Sequence, residues 1–172
     1  MGLNIVQLGL RVWQFIWTLL IMALVGNMID TAIAGNPSVV NYTMFVAAFS
    51  MLSLFYLFPA SFNPDWAISP IIMIVVDALN MIFFFCAAVA LPSYLHVHSC
   101  TNSGYLASNS ITNGSFDMQK RCREAQASTA FLWFAWVGYL ASLIISILMS
   151  RSAGSKLGSG GGSRRRPNMA QV

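Results

Sequence analysis

Four apolar stretches, each long enough to cross a lipid bilayer, constrain this chain more than anything else in it. They run roughly 12–29, 42–62, 68–91 and 125–149. A helix rises ~1.5 Å per residue, so about 20 apolar residues cross a ~30 Å hydrocarbon core. Asp77 is the single formal charge inside these spans. Hydrocarbon offers the backbone no partner, so each span must satisfy its own hydrogen bonds as a helix. The expected fold is an all-α integral membrane protein, a four-transmembrane-helix bundle. The membrane domain takes residues 1–151, with the first span reaching back to about residue 6. A polar loop over 93–124 separates spans three and four, and 152–172 form a flexible basic tail.

The first span competes with a signal-peptide reading, because Ala32-Ile33-Ala34 resembles a small-residue cleavage site. Signal peptides begin with charge and have an apolar core of ~7–15 residues. Here Met1-Gly2-Leu3-Asn4 is uncharged and the core is longer, so the span is expected to stay as a helix. Gly2 is no myristoylation site, since Val6 stands where Ser or Thr is wanted.

Four spans put both termini on one side, and three signals place that side in the cytosol. Five of the nine Lys and Arg follow the last span, at Arg151, Lys156, Arg164, Arg165 and Arg166. With Arg11 they outnumber Lys120, Arg121 and Arg123 on the other side, as the positive-inside rule asks. Such a distribution reads as a juxtamembrane tail, not a nucleic-acid-binding face. Cys100 and Cys122 share the 93–124 loop, and such a pair suggests a disulfide formed in an oxidising compartment. Two free thiols are the alternative. Asn113-Gly114-Ser115 in that loop is a glycosylation sequon. Asn41-Tyr42-Thr43 abuts the membrane and is expected to be unused, and Asn36-Pro37-Ser38 is excluded by its proline. Cys86, inside the third span, reads as a packing residue.

The loop continues His98-Ser99-Cys100, Asn102, Tyr105, Ser108-Asn109, Ile111-Thr112, Gly114-Ser115, Arg121-Cys122-Arg123, Ala125-Gln126-Ala127 and Ala130-Phe131-Leu132. In these residues it resembles the fungal non-classical export protein family, MARVEL-like four-helix proteins of the plasma membrane. Asn41-Tyr42, the Asp77 and Asn80 pair, the Arg-rich tail and the terminal Gln171-Val172 extend the likeness over nearly the whole chain. The resemblance implies a non-enzymatic organiser of plasma-membrane microdomains, the eisosome-associated furrows, responsive to sphingolipid and linked to unconventional secretion. The implied partners are membrane lipids (sphingolipid, sterol or anionic lipid) and eisosome-type scaffold proteins. It brings no catalytic residues and no cofactor.

Within the spans, Asn4, Gln7, Arg11, Gln14 and Thr18 step by 3 and 4 and share one face of the first helix. Arg11 near its edge either snorkels into the headgroups or pairs with Asp77. Asp77 is the most expensive residue in the chain, ~3 kcal/mol or more near a span's centre. Asn80 lies one turn away. Three roles stay open for Asp77: bonding to polar side chains of neighbouring helices, pairing with Arg11 across a depth difference of ~8 Å, or a proton or ion pathway. The pathway makes a small channel or transporter the alternative function. It has few ligands, no inverted repeat and no broken helix pair. Pro59, Pro70 and Pro92 are expected at span ends.

Enzyme chemistry has little support. The chain has no Gly-rich phosphate loop, no zinc spacing and no nucleophile–base pair, and His96 and His98 read as interfacial loop residues rather than metal ligands. Gly138, Ser142 and Ser146 repeat at four-residue spacing, which lets backbones approach closely in lipid. They are expected to pack within the bundle, with a homo-oligomer contact as the alternative. Trp13, Trp17, Trp66, Trp133 and Trp136 read as interfacial anchors. Residues 158–163 are Gly/Ser-rich and read as a flexible linker carrying Arg164, Arg165 and Arg166 to anionic lipid.

Overall fold

The computed structural model describes residues 2–33, 35–62 and 70–159. Its helices are α1 (Gly2–Asp30), α2 (Ser38–Phe62), α3 (Pro70–Leu95), the short α4 (Ser103–Ser108) and α5 (Met118–Ser159), with a 3₁₀ turn at Thr112–Gly114. Four of them, α1, α2, α3 and α5, are long and apolar enough to cross a membrane.

The four long helices form a closed ring. α1 packs against α2 and α5, and α3 packs against the same two. Helices α1 and α3 therefore face each other across the centre, as do α2 and α5. At the end where α1 begins and α5 finishes, the interior is polar. Toward the opposite end lies a mainly apolar layer of Ile21, Val25 and Met28 of α1, Val40 and Val46 of α2, Phe84 and Leu91 of α3, and Leu132 of α5, each at most 1% exposed. Outward-facing positions are the reverse of a soluble protein's: Leu52, Phe55 and Ile71 are about two-thirds exposed or more, as a lipid-facing surface requires.

Several boundaries differ from the sequence reading. Only Pro70 starts a helix, at the first position where its missing N–H costs nothing. Pro59 and Pro92 lie inside α2 and α3, each three residues from the end. A proline in the last turn removes only one bond, and the chain keeps helical geometry to its terminus. The long loop is not all turn, because Asn102 caps α4 by accepting from the Gly104 and Tyr105 N–H groups. α5 starts seven residues before the expected span and takes Lys120, Arg121 and Arg123 into its first turns. It also runs to Ser159, so Gly158 and the first residues assigned to a flexible tail are helical. Trp66 and the tail arginines Arg164, Arg165 and Arg166 lie outside the described residues.

Candidate functional site

The polar stripe of α1 points into the bundle. Gln7, Arg11, Gln14 and Thr18 are buried, with Arg11, Gln14 and Thr18 at 0% exposure. Arg11 spans the α1–α3 diagonal. Its two terminal nitrogens donate to the two oxygens of Asp77, Nη1 to Oδ1 at 2.5 Å and Nη2 to Oδ2 at 2.8 Å. Both side chains are fully buried. Arg11 does not snorkel out; its side chain reaches Asp77. α3 begins at Pro70, so Asp77 lies in the first third of that helix, not near its centre. Of the roles open to Asp77, the geometry is that of a bidentate ion pair, the arrangement for which guanidinium is shaped.

Around the pair other polar side chains add hydrogen bonds, although Gln7 Oε1 and Asn80 Oδ1 are buried without one. Arg11 also donates to Gln14 Oε1 at 3.0 Å. Gln14 in turn donates to Ser142 Oγ at 2.9 Å and to the Gly138 carbonyl at 3.1 Å. Gln7 donates to Ser146 Oγ at 3.3 Å, and Ser61 of α2 lies 3.4 Å from Arg11 Nε. Higher in the bundle, Ser50 of α2 and the Tyr139 hydroxyl of α5 meet at 2.5 Å, and Thr18 joins Ser50 at 3.0 Å. The second diagonal, α2 to α5, is therefore bridged as well. Asn80 bonds to Ser53 and to the Val76 carbonyl, both at 2.9 Å, rather than to Asp77.

Gly138, Ser142 and Ser146 all face α1 inside this bundle. A Cβ on Gly138 would stand 2.7 Å from Trp13 Cδ1, so the glycine is the slot for the indole. The indole N–H of Trp13 donates to the Phe134 carbonyl at 3.0 Å, and Trp17 packs on Phe131 and Phe134. The small-residue stripe thus makes its contacts with α1 within the chain. Trp13 and Trp17 join α1 to α5 instead of serving only as interfacial anchors. Cys86 is exposed on the outer surface of α3, not packed in the core.

At the far end the 96–117 loop is tied down in two ways. Cys100 and Cys122 are joined as a disulfide with their Cα atoms 5.7 Å apart. Arg121, beside it, is 1% exposed and donates to the Ile111 carbonyl at 2.6 Å, the Met28 carbonyl and Asn36 Oδ1 at 2.7 Å. One side chain therefore pins the loop, the end of α1 and the α1–α2 connection together. Tyr105 donates to the Leu95 carbonyl at 2.5 Å, and burial raises its phenol pKa above the usual value. Asn109 secures the same helix end by donating to the Tyr94 and Leu95 carbonyls. Asn113 is exposed in the 3₁₀ turn. His98 packs edge-on against Tyr105. Sequence reasoning missed Arg121 as a structural pin, because a basic residue in a polar loop reads first as a topology charge. Glu124 was missed too: it is 9% exposed and accepts from Asn27 of α1 at 2.5 Å.

These features define a four-span membrane protein whose polar groups are turned inward and joined across both diagonals. The MARVEL membrane-associating domain matches residues 4–145. Non-classical export protein 2 of Saccharomyces cerevisiae is 36% identical over 173 residues, covering 95% of each chain. Non-classical export protein 102 of Candida albicans is 39% identical over 166 residues, again 95% of each. A non-classical export protein 2 homolog of Schizosaccharomyces pombe is 28% identical, covering 83% of this chain and 76% of its own. No solved structure matches the chain. The chain belongs to the non-classical export protein family of MARVEL-domain membrane proteins.

Proposed function

We propose that this protein is a non-enzymatic organiser of plasma-membrane microdomains. In this reading both termini are cytosolic, the basic tail holds anionic lipid of the inner leaflet, and the helix surface sorts sphingolipid or sterol. Its partners are eisosome-type scaffold proteins. The names of its yeast relatives add a role in export that bypasses the usual secretory route. The observation that carries the reading is the division of the molecule between inside and outside. The two charges inside the spans, Arg11 and Asp77, are bonded to each other, and the outer surface is apolar and aromatic. A bundle built this way acts through what it presents to lipid.

A channel centred on Asp77 has less support. The polar network ends at the level of Thr18, Ser50 and Tyr139, and the apolar layer of Ile21, Val25, Met28, Phe84 and Leu132 closes the bundle above it. An ion that reached Asp77 would meet a guanidinium already in place and hydrocarbon beyond. Imaging a tagged copy beside a furrow marker tests the proposal. Patchy co-localisation is the expected result, and a uniform or internal-membrane signal would overturn it.

A further inference from the structure

We propose that Asn113 carries an N-linked glycan and that the cleft beside it seats the first sugar. The proposal rests on the reading that puts the 96–117 loop on the non-cytosolic side. The sequon Asn113-Gly114-Ser115 falls on the 3₁₀ turn with the asparagine side chain exposed. Its amide nitrogen makes one long contact, 3.5 Å to the Ala107 carbonyl, so little is lost when that N–H is replaced by a bond to sugar. The other sequon is built differently. Asn41 sits in the first turn of α2, and its Thr43 is buried with the hydroxyl donated to the Val39 carbonyl at 2.8 Å.

The cleft is an open hollow of about 500 Å³ with Ile33, Gly35, Asn36 and Pro37 on one side and Ser110, Asn113 and Gly114 on the other. Its walls are preformed. The Ile33 N–H donates to the Gly114 carbonyl at 3.0 Å, the Asn113 N–H to the Asn109 carbonyl at 3.0 Å, and Arg121 holds Asn36. At the rim Gly35 has φ +89°, a conformation suited to glycine, and a Cβ there would meet nothing within 4 Å. A pyranose ring has a C–H face and a hydroxyl edge. Ile33 and Pro37 offer apolar surface to the face, and Asn36 and Ser110 offer polar atoms to the edge. Such a pairing is the usual make-up of a small-ligand site.

Ser115 is 6% exposed in the folded protein, so transfer precedes closure of the loop. The donor is a lipid pyrophosphate-linked oligosaccharide. The Asn113 amide nitrogen bonds to C1 of the first sugar, the C1–oxygen bond to pyrophosphate breaks, and the amide gives up one proton.

The test uses the full chain expressed in eukaryotic cells. Mobility is compared before and after peptide N-glycosidase, and intact cells are treated with a membrane-impermeant amine reagent that reports Lys120 against Lys156. We expect Lys120 to be labelled and one mobility step to be lost on enzyme treatment. The step should be absent in Asn113→Gln and in Ser115→Ala and kept in Asn41→Gln. Glycan release should be slower from native than from denatured protein, and Ser110→Trp should remove that difference. Labelled Lys120 with unmodified Asn113 overturns the proposal and leaves the topology intact. Labelled Lys156 with protected Lys120 overturns both. Equal release rates from native and denatured protein overturn the seat.

Discussion

Arg11 is a side chain whose value depends wholly on its partner. Alone at this depth it would be an unpaired cation in hydrocarbon, and with Asp77 it is one half of a bidentate pair. Removing one member of a buried pair costs about 3–5 kcal/mol, because the other charge stays behind without compensation. Asp77→Asn keeps the shape and removes the charge, so it should destabilise the bundle by about that amount rather than pass as a conservative change. The double replacement Arg11→Met with Asp77→Leu removes both charges and should recover most of the loss. A double-mutant cycle on unfolding in lipid-like detergent measures this, and strictly additive single effects would show that the pair is not coupled. At the other end Arg121 does comparable work with neutral partners. Arg121→Gln should lose the bonds to Ile111, Met28 and Asn36 at about 1–3 kcal/mol for each acceptor left buried and unpaired. Hydrogen exchange should then rise together in 28–36 and 109–114, and a rise confined to 109–114 would contradict the pin.

At the scale of elements, the α1–α5 contact is set by one glycine. An Ala methyl at 138 would meet the Trp13 ring at 2.7 Å, so Gly138→Ala must push the two helices apart or rotate the indole. Overpacking of this kind costs about 1–3 kcal/mol. Trp13→Leu in the same chain should relieve part of that cost, and a thermal melt of the single and double variants checks it. The four-residue spacing of Gly138, Ser142 and Ser146 was legible in the sequence, and so was the polar stripe of α1, because helical period alone decides which residues share a face. What the stripe touches was not legible. Ring order decides that α1 faces α3, and no single-helix pattern carries the order of neighbours. The same gap explains Asn80: its one-turn spacing from Asp77 is real, yet its amide turns to Ser53 of α2. Helix ends were misjudged where polar residues continue a helix. Lys120, Arg121 and Arg123 lie on the first turns of α5, supported by the Asp117 side chain accepting from the Lys120 N–H at 2.9 Å.

For the whole molecule, the two ends do different work. The far end is a cap fixed by Arg121 and by the Cys100–Cys122 bond, which closes a loop across a sequence separation of 22. Chain entropy gives about 3–4 kcal/mol for a loop of that size, and Cys100→Ser should lower stability by that order while leaving the four spans inserted. Non-reducing peptide mapping should recover the joined peptides from the unaltered protein, and alkylation of both thiols in gently isolated material would refute the bond. The near end carries the Arg11–Asp77 pair, and the sequence after Ser159 contains the arginine triplet Arg164-Arg165-Arg166. Each basic residue held near an anionic leaflet contributes ~1 kcal/mol, less in high salt, so the triplet adds about 3 kcal/mol at most. Residues 152–159, read from the sequence as part of a loose tether, continue α5 as helix. Replacing the three arginines with Gln leaves Arg151 and Lys156 to hold the orientation. Protease protection should therefore report unchanged topology, while the protein gathers less strongly into membrane patches and the difference shrinks as salt rises. Normal patches with the Gln tail would reduce the triplet to an orientation signal.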